Sequence, residues 1–191
     1  MTVIEIVADV TRRLETAGIP YAIGGSLASS VWGQMRLTND ADIVVLLPGS
    51  DPSILIEAFP EQYDLNESEI ATALVSLDEF RVVQLLHKDE AFKIDLFLLR
   101  DGPYEATELA RARRVALLDD TSAFFYAPEN IVLAKLRWYR LGNRVSDRQW
   151  NDIVQVLEVQ AGNLDNSYLD EWAEKLGVLP LLDEARSQTR P

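Results

Sequence analysis

The sequence predicts a chain of the α/β (α+β) class: a small mixed sheet with flanking helices, followed by a C-terminal helical domain. Three observations carry this expectation. Short apolar runs of strand length recur up to residue 126, alternating with segments of helical period. Beyond residue 127 the pattern changes, and every segment has helical spacing. The chain has 191 residues, 48% of them hydrophobic, which suits one compact domain carrying a smaller one. The spans expected are 1–127 and 128–191.

Taken in order, residues 3–17 form an amphipathic helix with Ile6, Val7, Val10 and Leu14 on one side and Gly18 as its stop. Tyr21-Ala22-Ile23 is a short strand entering Gly24-Gly25-Ser26, and Ser26 to Trp32 is a helix ended by Gly33. Asp42–Leu47 is a near-continuous apolar strand, as expected where both faces are covered. Pro48-Gly49-Ser50-Asp51-Pro52 breaks the chain before a helix at 53–59, and a further helix is expected around 67–74. Arg81–Leu86 and Lys93–Leu98 are strands joined by His87-Lys88-Asp89-Glu90. A helix at 104–112 precedes a hairpin, Val115–Leu118 and Ala123–Tyr126, across Asp119-Asp120-Thr121. Pro128-Glu129 opens the helical region. Ser146-Asp147-Arg148-Gln149 has the form of a capping box, and Ile153, Val154 and Leu157 follow with helical period. Leu169, Trp172, Ala173 and Leu176 repeat that spacing before Gly177; the tryptophans stand at core-like positions.

Composition removes several chemistries. Without cysteine there is neither a disulfide framework nor a thiolate zinc site. With His87 as the single histidine, multi-histidine metal binding is excluded and a Ser-His-Asp triad disfavoured. The N-terminus lacks a basic leader and cleavage site, and no apolar run is long enough to span a bilayer, so a cytoplasmic location without membrane contact is expected. A net charge of −13 opposes coating of nucleic acid, although Lys135, Arg137, Arg140, Arg144 and Arg148 form a local basic run.

The residues suited to chemistry are mainly acidic. Asp40 and Asp42 are two apart at the entry to an apolar strand, where side chains alternate faces, so both point the same way. Two like charges at ~4 Å and an effective dielectric near 20 repel by about 4 kcal/mol, which a bound cation reverses. Mg²⁺ takes a few carboxylate oxygens and completes its shell with water and phosphate oxygens. The alternative is a polar loop with Asp40 capping a turn and Asp42 solvated. Asp95 interrupts the run Ile94–Leu99 inside a core strand, where a carboxylate is costly unless paired with Lys93 or an arginine, or bound to metal. If the two strands are neighbours, Asp40, Asp42 and Asp95 form one acidic cluster.

Gly24-Gly25-Ser26 lies between a strand and a helix, where glycines admit close approach of a phosphate and the helix N-terminus favours anions. The alternative is a tight turn with Ser26 as an N-cap. Lys135 falls among Ile131, Val132, Trp138 and Tyr139 on a helical wheel, and either snorkels to water or faces an anion. Arg148 and Asp152 are spaced i, i+4, as in a surface ion pair on the polar face of their helix, or touch substrate.

Ile23-Gly24-Gly25-Ser26, a spacer, Asp40-Ala41-Asp42-Ile43 and the later Asp95 together resemble the polymerase-beta-like nucleotidyltransferase superfamily. Gly-Gly followed by Arg36-x-Thr38-x-Asp40-x-Asp42 is most similar to the bacterial minimal nucleotidyltransferases of the toxin–antitoxin and abortive-infection type. Pro128-Glu129 through Lys135, with Ser146-x-Arg148-x-x-x-Asp152, resemble the helical region of those proteins. Two departures stand out: Leu27-Ala28 replaces an Arg-containing segment, and Ala41 a bulkier residue.

The resemblance implies transfer of a nucleoside monophosphate from an NTP such as ATP to an acceptor hydroxyl on protein or tRNA, releasing pyrophosphate. It implies Mg²⁺ or Mn²⁺ held by Asp40, Asp42 and Asp95, the last also accepting the acceptor's proton. It assigns nucleotide phosphates to Gly24, Gly25, Ser26 and Lys135, and supporting positions to Arg36, Thr38, Arg148 and Asp152. A toxin or antitoxin partner follows from the same likeness. The alternative is a non-catalytic antitoxin or regulatory partner that keeps the fold and binds another protein.

Overall fold

A computed structural model describes residues 1–35, 38, 40–118 and 120–189. In chain order the helices and strands are α1 (Val3–Thr16), β1 (Tyr21–Ile23), α2 (Gly25–Trp32), β2 (Ala41–Val45), α3 (Pro52–Ala58), β3 (Tyr63–Asp64), α4 (Glu67–Val75), β4 (Val82–His87), β5 (Phe92–Leu98), α5 (Pro103–Ala110), β6 (Arg113–Leu118), β7 (Thr121–Phe125), α6 (Pro128–Leu141), α7 (Asp147–Val159), α8 (Asn166–Lys175) and α9 (Leu179–Gln188). The class is mixed α/β, as expected. Among the described residues no helix is long and apolar enough to cross a membrane.

The chain divides into two compact units, each assembled from two separate segments. The first comprises Met1–Gly24 and Thr38–Phe125, the second Gly25–Leu37 and Tyr126–Pro191.

The first unit is a seven-stranded mixed sheet in the order β3-β4-β5-β2-β1-β7-β6. β2 pairs antiparallel with β1 and parallel with β5, which places residues from sequence-distant strands side by side. In β5 burial alternates strictly: Phe92, Ile94, Leu96 and Leu98 are buried, while Lys93, Asp95 and Phe97 are half-buried. β4 follows the same rule, with Val83, Leu85 and His87 inward and Val82, Gln84 and Leu86 exposed. The inward set, with Ile43 and Val45 of β2, is the apolar layer of this unit.

α1 packs against β6, β7 and α3 through its buried Ile6, Val7, Val10 and Leu14. It opens with a true capping box: the Thr2 hydroxyl accepts from Glu5 N–H, and Glu5 accepts from Thr2 N–H. It closes at Gly18, whose φ of +68° lies in the left-handed region that glycine enters without strain. Near the other end of the sheet Tyr63 donates to Asp9 (2.8 Å), which also accepts from Arg13 (2.7 Å), and Tyr63 meets the buried His87 ring edge-on. His87 Nδ1 accepts from Glu90 N–H, in keeping with a structural histidine.

The second unit is helical. α6 packs on α2, α7 and α8, and α7 on α9. Gly33 marks the tightest approach: a Cβ there would lie 3.0 Å from Ser29 O and 3.2 Å from Val156 Cγ2. Glu129, expected to serve the dipole of α6, is fully buried, and its Oε1 accepts from Asp165 N–H at the start of α8. Ser146 caps α7 by accepting from Gln149 N–H.

The core-like reading of the tryptophans is corrected. None of Trp32, Trp138, Trp150 and Trp172 belongs to the buried core. Two of them have their polar edges bonded, Trp32 Nε1 to Tyr126 O (2.6 Å) and Trp150 Nε1 to Gln188 Oε1 (2.8 Å).

Candidate active site

The parallel pairing of β2 with β5 does most of the site-building in the first unit. Its register sets Asp42 opposite Asp95, and that of β5 with β4 sets Gln84 opposite Asp95. A row Gln84–Asp95–Asp42 therefore crosses one face of the sheet. Gln84 is not among the residues expected at the site; its signal in the sequence is the period-two alternation of β4. Adjacent strands lie ~4.8 Å apart, close enough for two carboxylates in register to repel.

Asp95 shows the consequence. Lys93, two residues earlier on the same face of β5, brings its Nζ to 3.1 Å from Asp95 Oδ2. Asp95 Oδ1 is buried and has no hydrogen-bond partner among the described residues. A buried carboxylate oxygen left unmatched costs about 1–3 kcal/mol. Asp40 precedes the first residue of β2, and its Oδ1 accepts from the Thr38 hydroxyl (2.6 Å). Gly24 N–H donates to Asp42 O (2.8 Å), which ties the end of β1 to the acidic residue. Arg36 lies outside the described residues.

Among the described residues no group of three or more His, Asp and Glu side chains stands in position to hold a metal ion. The pair brought together by register is Asp42 with Asp95. Magnesium uses one or two carboxylates and completes its shell with water and phosphate oxygens. The orphaned Asp95 Oδ1 and the in-register Asp42 fit such an ion.

In the second unit Gly25 opens α2 with φ +51°, a conformation that favours glycine, and Ser29 donates back to its carbonyl (2.7 Å). Ser26 sits inside the first turn rather than preceding it as an N-cap. Lys135 is buried, as its place on the apolar arc implied, and does not snorkel; its Nζ meets Asp152 Oδ2 at 2.9 Å, with each side chain 7% exposed. The reading of Asp152 as a surface partner of Arg148 is thereby corrected. Asp152 lies on the buried face with Ile153 and Val156, whereas Arg148 is exposed. Nor is the basic run one surface: Lys135 is sealed in its pair, and Arg140 donates to Leu176 O (2.6 Å) at the end of α8.

No protein-family model matches the chain, and no curated protein sequence matches it. Solved structures do. The antibiotic-resistance factor ANT(2″)-Ia, in complex with adenylyl-2″-tobramycin, shares 12% identity over 98% of this chain and 99% of its own, with a TM-score of 0.58. Its solution structure gives 10% identity over 95% and 96%, with a TM-score of 0.56. An antigenic nucleotidyltransferase-like protein from Paracoccidioides brasiliensis shares 18% identity over 97% and 92%, with a TM-score of 0.55. At these identities the likeness is one of fold, and the fold of this chain is that of nucleotidyltransferases.

Proposed function

We propose that this chain is a nucleotidyltransferase that moves a nucleoside monophosphate from an NTP to an acceptor hydroxyl, with pyrophosphate leaving. The observation that carries the reading is the register of β2 with β5, which sets Asp42 beside Asp95 on one sheet face in this fold. Asp42 and Asp95, joined by Asp40 on the strength of the resemblance, are the residues that would hold Mg²⁺ or Mn²⁺. When bound, such an ion neutralises the triphosphate and raises the acidity of the acceptor hydroxyl. Asp95 is the group to accept that hydroxyl's proton, because one of its oxygens is uncommitted among the described residues. Thr38 fixes the Asp40 carboxylate. Gly24, Gly25 and Ser26 are assigned to the phosphates, for which backbone N–H groups at the head of α2 are suited. Lys135 carries the same assignment by resemblance alone, since in the structure its ammonium is buried against Asp152. Arg36 and Arg148 remain supporting positions by resemblance.

Protein and tRNA hydroxyls are the acceptors the resemblance names. The complex of ANT(2″)-Ia with adenylyl-2″-tobramycin adds a small-molecule hydroxyl to them. The cytoplasmic setting and a toxin or antitoxin partner belong to the same proposal.

The test is incubation of the full chain with each α-labelled NTP and Mg²⁺ against lysate protein, an RNA pool and aminoglycosides. Label should reach one acceptor class, and Asp42→Asn and Asp95→Asn should each lower transfer by about a hundredfold or more. No label anywhere, together with no metal-dependent NTP binding, sinks the reading. A second reading, a non-catalytic binding partner, is favoured by the lack of a three-carboxylate cluster among the described residues. It requires co-purification with another protein in fixed ratio and no transfer.

A further inference from the structure

We propose that Lys93 is an internal counter-cation that competes with a divalent ion for Asp95 and so sets the metal concentration at which the site fills. The inference rests on the nucleotidyltransferase reading of the Asp42–Asp95 pair and adds its regulation.

Lys93 and Asp95 are two residues apart in β5, so their side chains share a face, and Nζ lies 3.1 Å from Oδ2. Asp42 stands in register on the neighbouring strand, so a second carboxylate-bearing residue lies beside the one Lys93 holds. Lys93 holds Oδ2 while the unmatched oxygen is Oδ1, so an ion entering at Oδ1 meets a positive charge already seated on the same carboxylate. Lys93 is free to leave, because its side chain is 41% exposed and its four-carbon stem carries the ammonium into water. Asp95 is only 19% exposed and cannot follow. The carboxylate therefore stays in place while its partner is exchanged. With metal absent, the lysine limits the repulsion at Asp95; with metal present, its charge opposes the ion until the side chain swings out to water.

Direct Mn²⁺ binding, read as free Mn²⁺ by electron paramagnetic resonance, tests this without reference to catalysis. Lys93→Met should tighten the Mn²⁺ Kd by about two- to fivefold, the weight of a partly exposed ion pair. Lys93→Arg should keep the wild-type Kd. Lys88→Met removes the same charge from an exposed turn and should leave the Kd unchanged, which separates local competition from the general field of an acidic protein. In an Asp95→Asn background, Lys93→Met should have no effect. Binding by wild type and Lys93→Met with equal Kd, or weaker binding by the variant, overturns the role of Lys93 alone. No Mn²⁺ binding by either protein, or binding unchanged by Asp42→Asn, overturns the metal reading with it.

Discussion

Each compact unit sets a lysine against an aspartate, and the two pairs are built oppositely. In the helical unit Lys135 and Asp152 meet at 2.9 Å with each side chain 7% exposed. In the sheet unit Lys93 and Asp95 meet at 3.1 Å, with the lysine 41% exposed and one carboxylate oxygen orphaned. Removing one member of a sealed pair leaves a charge with no route to water. Removing one member of an open pair leaves a charge that water can reach. The sealed pair holds a side chain in a single place; the open pair leaves a carboxylate available to another cation.

Stability of single variants is the most direct way to break that contrast. Lys135→Met and Asp152→Asn should each cost about 3–5 kcal/mol in urea unfolding of the full chain, with much of the loss recovered in Lys135→Met/Asp152→Leu. Lys93→Met should cost no more than about 1 kcal/mol. Comparable losses at the two lysines would remove the distinction.

A second comparison lies within the sheet unit, between Asp95 and Asp9. Burial pushes the Asp9 carboxyl up, but hydrogen bonds from Arg13 and Tyr63 and the charges of Arg13 and Arg12 outweigh it, so the group is held below its ordinary value. A depressed carboxylate stabilises the fold above its unfolded pKa, and that contribution fades as pH falls through the lower folded value. Asp9→Ala should therefore cost about 1–3 kcal/mol near pH 7, with the difference from wild type shrinking below about pH 3.5. A cost that is constant from pH 7 to pH 2.5 counts against the charged network.

The smallest effect is expected at Asp42. Relief of repulsion offsets whatever contacts its carboxylate makes, so Asp42→Asn in metal-free buffer should alter stability by no more than about 0.5 kcal/mol. A loss of several kcal/mol there assigns Asp42 a structural task instead.

How far these features were legible follows from their range. The apolar run within Lys93–Leu98 and the apolar arc of α1 are local patterns, and both elements appear within a residue or two of expectation. β3 is only two residues long, Tyr63 and Asp64, too short for any periodicity to show. Asp42 could be singled out by its spacing from Asp40 at a strand entry, and Asp95 because a charge interrupts an apolar run, but their pairing depended on strand order, which the sequence does not display. Asp152 went astray because Arg148, one turn away, offered a local partner; its actual partner is 17 residues off on another helix. Likewise, dividing the chain at residue 127 yields two consecutive segments, whereas the contact units interleave.

That interleaving has a consequence for synthesis. Trp32 donates to the carbonyl of Tyr126, 94 residues on, and accepts from Gln160, 128 residues on. α2 thus leaves the ribosome long before the helices that cover Ala28 and Ser29 exist. The sheet strands between must be made while an early helix waits, so the helical unit cannot close until α6 and α7 have been made. Contacts of that span are slow to form. A chaperone that shields the nascent 25–33 segment would be expected to raise the yield of folded chain more than one acting on the finished C-terminal helices.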